Sequence, residues 1–164
     1  MSSVVDRWFP FPSTVDERAA RCVAAGVVVG ALVAIFVWHW LAVVLAAGFA
    51  LRVGWGPRFS PLALVVTRLV VPRLPGPERL VPGPPKRFAQ TVGLVVSSGA
   101  VVALLAGSPT VAVALLALLL VAAGLESGLG LCLGCVMFAG LMRIGVVPEA
   151  VCLECADLSR RPTA

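Results

Sequence analysis

The sequence predicts an all-α, polytopic integral membrane protein, with about four transmembrane helices arranged as two hairpins and a C-terminal re-entrant or fifth apolar segment. Three observations predict it. Of the 164 residues, 60% are hydrophobic and 13% charged, about half the charged share of a soluble domain, and the mean hydropathy is +1.03. Two stretches, 22–51 and 88–125, carry no charge, and each exceeds the roughly 20 apolar residues that span a bilayer once. Every basic residue lies before the first stretch, between the two, or in the tail.

That charge distribution sets the expected topology. Arg7, Arg18 and Arg21 precede the first run; Arg52, Arg58, Arg68, Arg73, Arg79, Lys86 and Arg87 separate the runs; Arg143, Arg160 and Arg161 close the chain. The interior of each run, near His39 and at Gly107 to Thr110, carries none. If each run folds back on itself, all the positive charge falls on one side, which the positive-inside rule makes cytoplasmic. The protein is then a multi-pass protein of the cell membrane with both termini cytoplasmic. A single tilted helix over 22–51 would split the basic residues between the two sides and fits the rule less well. The net charge of +5 does not indicate nucleic acid, because the basic residues flank apolar spans instead of forming a basic domain. A cleaved signal peptide is disfavoured, since the first run is longer than the roughly 7–15-residue core of such a peptide and follows a polar stretch.

The expected organisation is a cytoplasmic N-terminal segment, 1–21, a membrane domain, 22–147, with a cytoplasmic loop at 52–87, and a cytoplasmic tail, 148–164. The predicted spans are 22–37, 41–54, 88–106 and 110–126; the first two are short, so the first is expected to start nearer Asp16 or the pair to form a shallow hairpin. Trp38 and Trp40 bracket His39 at the outer turn, and Trp55 marks the inner interface. The sequence GSPT supplies turn residues and a capping hydroxyl for the second turn. Ser60 and Pro61 suit the start of an interfacial helix carrying Arg68 and Arg73. The stretch PGPERLVPGPPKR reads as an extended connector. Gly93, Ser97, Ser98 and Gly99 suit close helix packing. The region 129–147 either crosses, taking Arg160 and Arg161 to the far side, or returns, which the charge rule favours.

The residues with chemistry are the cysteines. Cys132/Cys135 and Cys152/Cys155 form two C-x-x-C pairs in a C-x2-C-x16-C-x2-C arrangement. That spacing suits a structural zinc site made of four cysteines. One straight helix over 133–147 would hold the pairs roughly 20–25 Å apart, so zinc requires a chain reversal, with Gly140, Gly145 and Pro148 as the places to make it. A redox role needs less geometry. SGLG, before the first pair, is poor helix by propensity, so a helix starting near Leu131 puts Cys132 at its N-terminus, where the dipole and free N–H groups favour thiolate. Cys152 follows Pro148 in a similar position. Cys132 is then the attacking thiol and Cys135 the resolving one, while Cys152 and Cys155 exchange with a soluble partner. Glu126 is the candidate proton acceptor; Glu154 only tunes its pair. Small, buried, unreactive cysteine is the plain alternative and is preferred for Cys22. His39 could meet a metal or a quinone, but with no second ligand beside it in sequence it reads as a turn residue. A transporter or channel is poorly supported, because the spans hold almost no ionisable residues.

The segments LRVGWGPRFSPLA (51–63), KRFAQTVGLVVSS (86–98) and ESGLGLCLGCVMF (126–138) together resemble the bacterial membrane family called domain of unknown function 4395, DUF4395, over about 16–145. The resemblance implies a multi-pass membrane protein without an assigned activity, and an association with rhodanese-like and thioredoxin-like neighbours that would suit thiol chemistry. It carries over to Arg87, Phe88, Gln90, Cys132, Gly134 and Cys135. The family pattern often has a Tyr after the second cysteine, where this chain has Phe138, so a phenol-dependent role is not implied here. Cys152 and Cys155 lie beyond the matched part. The expectation is a membrane component of thiol–disulfide redox or sulfur-transfer chemistry, without a cofactor, whose partner is a soluble thioredoxin-like or rhodanese-like protein. The alternative is a non-catalytic membrane scaffold with structural zinc on Cys132, Cys135, Cys152 and Cys155.

Overall fold

The computed structural model describes residues 14–56, 59–74 and 79–147. A short strand β1, Thr14–Asp16, leads into helix α1, Glu17–Phe36. Asp16 caps α1: its Oδ1 accepts from the Arg18 N–H at 2.9 Å, and Glu17 puts negative charge on the first turn. The helix therefore starts at the edge of the polar stretch. Its 20 residues rise about 30 Å, the thickness of a hydrocarbon core. The chain breaks at 37–40 and returns as α2, Leu41–Trp55, so 22–51 forms two helices and not one.

Past Gly56, α3, Pro61–Val65, runs on into a π-helical turn, Val66–Val70, and a 3-10 turn, Val71–Arg73, that contains Pro72. Ala63 and Val66 pack on Val23 of α1, while Val65, Leu69 and Val70 are exposed. That one-sided burial suits a segment lying along the bundle surface.

Strand β2, Leu80–Pro82, pairs antiparallel with β1, Val15 opposite Val81, and the Glu17 N–H donates to the Arg79 carbonyl at 2.8 Å. The expected organisation contains no such ladder. It is too short to change the all-α class, but it fastens the start of α1 to the start of the next long helix. That helix, α4, is Gly83–Leu105, followed by α5, Pro109–Leu129, and α6, Leu133–Arg143.

Two helices run past their expected span limits: α2 continues to Trp55, and α4 already includes Gly83 to Arg87. Pro84 and Pro85 fall in the first turn of α4, where a missing N–H leaves no hydrogen bond unmade. Ser127 to Leu129 are helical too; the break comes at Gly130, whose φ of 71° only glycine adopts readily.

The long helices pack α1 on α5, α2 on α4 and α4 on α5, with α1 also against α2. Small residues make the contacts close: Ala31, Ala34, Ala42, Ala100 and Ala112 are fully buried. The Phe49 ring lies where a Cβ on Gly93 would come within 2.4 Å, and Ser97 hides its hydroxyl on the Gly93 carbonyl at 2.7 Å. Helices α1, α4 and α5 are long and apolar enough to cross a membrane; α2 and α6 are shorter apolar helices. The chain is a helical membrane protein. Eleven residues give α6 a rise of about 16 Å, half a hydrocarbon core.

Candidate functional site

The ends of the helices bring the site together. The start of α1 meets the end of α5, where the Arg21 guanidinium donates to the Ser127 carbonyl at 3.2 Å and to the Gly128 carbonyl at 2.8 Å. These are carbonyls that the last turn of α5 cannot use internally. The start of α4 meets the same end of α5 through an ion pair, Lys86 Nζ to Glu126 Oε1 at 2.6 Å. Both partners are largely shielded, with side-chain exposures of 9% and 19%, so removing either would strand the other in a poorly solvated place.

The chain then reverses at Gly130, and Cys132 becomes the residue before α6. Gly134 is required one turn on: a Cβ there would lie 2.5 Å from the Cα of Ala89 in α4. Phe138 follows on the same face and packs on Phe88, ring centres 5.8 Å apart. Two of the three segments that carry the family resemblance, around Arg87–Gln90 and around Cys132–Phe138, are therefore each other's packing partners.

Cys132 and Cys135 are unpaired thiols, Cys132 buried and Cys135 half-buried. They lie within hydrogen-bonding reach of each other, as residues one helical turn apart do. A hydrogen bond from the Cys135 thiol holds Cys132 below the ordinary thiol pKa, with the Lys86 charge acting in the same direction against burial and Glu126. Cys135 moves the other way: donating to Cys132, and buried beside it, it stays protonated well above the ordinary range. One thiol of the pair is thus the easier to ionise. Both line an open cleft of about 470 Å³ whose walls include Glu17, Pro85, Lys86 and Phe138.

Of the predicted site residues, Cys132, Cys135 and Glu126 come together. Glu126 does so as the ion-pair partner of Lys86. Cys152 and Cys155 lie outside the described residues, as does the tail from 148. Among the described residues no three His, Cys, Asp or Glu side chains gather as metal ligands; Cys132 and Cys135 would supply half of a four-thiolate set. Cys22 packs with the apolar cluster of Val23, Ala63 and Val66. His39 stands in the α1–α2 turn, at the opposite end of the bundle.

Two residues that the sequence marks only as topology signals belong to the site. Lys86 is the chain's one lysine, and Glu126 the one acidic residue between Glu78 and Glu149. They stand 21 and 19 residues from Gly107 (107 − 86 and 126 − 107), so a hairpin turning there sets them at the same depth. That symmetry is the signal in the sequence that points to Lys86. Arg52 is the second: it is 3% exposed, in the last turn of α2.

Fold and site together define a class: a helical membrane protein with a dithiol at the charged end of its bundle. More particularly, the chain belongs to the family described as Domain of unknown function (DUF4395), whose sequence model matches residues 15–143. The match runs from β1 to the end of α6, including Cys132 and Cys135 and stopping before Cys152. No curated protein and no solved structure matches the chain.

Proposed function

We propose that this protein is a membrane component of thiol–disulfide redox or sulfur-transfer chemistry, with Cys132 as the attacking thiol and Cys135 as the resolving one. The observation that carries the reading is the asymmetric pair itself: Cys132 at the head of α6, its thiol favoured to ionise by Cys135 and Lys86, beside an open cleft. A thiolate attacks a disulfide sulfur and forms a mixed disulfide; a neighbouring thiol then releases the partner. The charge pattern supports four spans in two hairpins with this end cytoplasmic, α2 being the short fourth span. The partner is then a soluble cytoplasmic protein of thioredoxin-like or rhodanese-like chemistry, and Cys152 and Cys155 of the tail are its relay.

A Cys135→Ser variant should accumulate a mixed disulfide between Cys132 and its partner, seen as a reducible higher band from native membranes and lost in Cys132→Ser. An absence of any adduct, with Cys132 still open to alkylation, would sink the reading. Zinc on all four thiols is the competing outcome: Cys132 would resist alkylation until a chelator is added, and the purified protein would carry metal.

A further inference from the structure

Cys132 also lines a second cavity, of about 310 Å³, enclosed by α1, α2, α4, α5 and α6. Its wall is mainly apolar, but Arg52, Gln90, Glu126 and Cys132 all face it. Arg52 is 3% exposed, forms no ion pair within 4.0 Å among the described residues although the Glu126 charge attracts it, sits 4.3 Å from the centre of the Phe49 ring, and donates through Nε to the Gly48 carbonyl of its own helix at 3.0 Å. The Gln90 Oε1 is buried and has no hydrogen-bond partner among the described residues. Buried polar groups of this kind are costly unless something polar meets them. Leu118 and Met137, 54% and 53% exposed, also line the cavity, so it opens through the apolar outer surface of the bundle.

We infer that this cavity binds the headgroup of a lipid-soluble quinone, and that the quinone accepts the electrons of the Cys132–Cys135 dithiol. The inference rests on the dithiol reading above and names its oxidant. The occupant must enter from lipid through an apolar rim, which excludes a free inorganic anion. It must also present polar atoms to Arg52 and Gln90, which excludes an acyl chain. A neutral, flat ring with two carbonyl oxygens meets both demands. Arg52 can donate to one of those oxygens and stabilise the negative charge it gains on reduction, and Gln90 Oε1 can accept from the O–H that forms at the other. In the reaction the two thiols lose two electrons and two protons and the S–S bond forms. The quinone takes both electrons and both protons, its two C=O groups becoming C–OH. Because Cys132 borders both cavities, a partner in the cleft and a quinone in the bundle reach the same sulfur.

The test uses the full-length protein in detergent, reduced, freed of reductant and held without oxygen. Decylubiquinone is the probe, because its ring is fully substituted and does not add thiols. The expected result is conversion to the hydroquinone with loss of the Cys132 and Cys135 thiols, followed by ring absorbance and mass spectrometry. Arg52→Met and Gln90→Leu should each slow this roughly tenfold, the loss of one hydrogen bond to a charged or polar group. Both variants should slow the quinone reaction far more than they slow oxidation of the pair by oxidised glutathione, a reaction that also shows that the variants have folded. Protein that glutathione disulfide oxidises but decylubiquinone does not overturns the quinone site and leaves the dithiol reading standing. Both variants reducing the quinone at the parent rate has the same meaning. If neither oxidant reacts with the pair, both readings fall together.

Discussion

At one end of the bundle, the turns at 37–40 and 106–108 expose Phe36, Val37, Trp38, Trp40 and Leu105 and carry no charged side chain. At the other end Arg21 holds the last carbonyls of α5, Lys86 pairs with Glu126, Arg18 with Asp16, and Arg52 is buried. The same four helices make both ends, so the difference lies in how each is fixed. The uncharged end is held by apolar packing, which tolerates exchange of one apolar group for another. The charged end is held by polar groups that each need a particular partner, and losing one strands the other in a poor environment. Position is specified more narrowly where the thiols are.

The most severe break in this contrast is Lys86→Met. It leaves Glu126 shielded and unpaired, which should cost about 3 kcal/mol, read as a lower unfolding temperature in detergent. It should also change the chemistry. In the parent protein the rate of Cys132 alkylation should rise with pH around a midpoint below the 9.0 of an ordinary thiol. Removing the lysine charge takes away support for the thiolate, so the midpoint moves up. A variant that loses stability and keeps the parent midpoint would make Lys86 a structural residue only.

Gly134→Ala comes next. The new methyl would lie 2.5 Å from the Ala89 backbone, which cannot rotate away as a side chain can, so α6 must shift from α4 at about 2 kcal/mol. Gly140→Ala, in the same helix with open space around its Cα, is the control and should change little. If both behave alike in thermal unfolding, the close contact of α4 and α6 is not what positions Cys132.

Cys135→Ala should leave stability nearly unchanged but raise the alkylation midpoint of Cys132, since it removes the hydrogen bond that contributes most to its ionisation. A midpoint that stays or falls would assign the asymmetry to the helix end and Lys86 instead.

The same contrast separates what is legible in the sequence from what is not. The hairpins and their turns are legible, because runs without charge report where a helix can sit in lipid and GSPT or WHW report where it must stop. The head of α6 is legible because Gly130 cannot hold a regular helix cheaply. The β1–β2 ladder is not, since TVD and LVP are too short to show alternation and only tertiary contact pairs them. The start of α4 is easily misplaced because prolines break helix interiors yet suit first turns, and composition does not say which applies. Lys86 and Arg52 read as topology markers because sequence gives a charge its side of the membrane but not its partner.

The smallest effect should come from the uncharged end, where His39 stands in the α1–α2 turn. About 30 Å separates it along α1 from the charged end, well beyond a Debye length in physiological salt. His39→Ala should shift unfolding by less than about 0.5 kcal/mol, because the half-buried turn residue makes no side-chain hydrogen bond among the described residues. The pH profile of Cys132 alkylation should overlay the parent curve. A shifted profile would mean that the turn is coupled to the dithiol through the helices, and the bundle would then have to be treated as one responsive unit instead of a specified end built on a generic one.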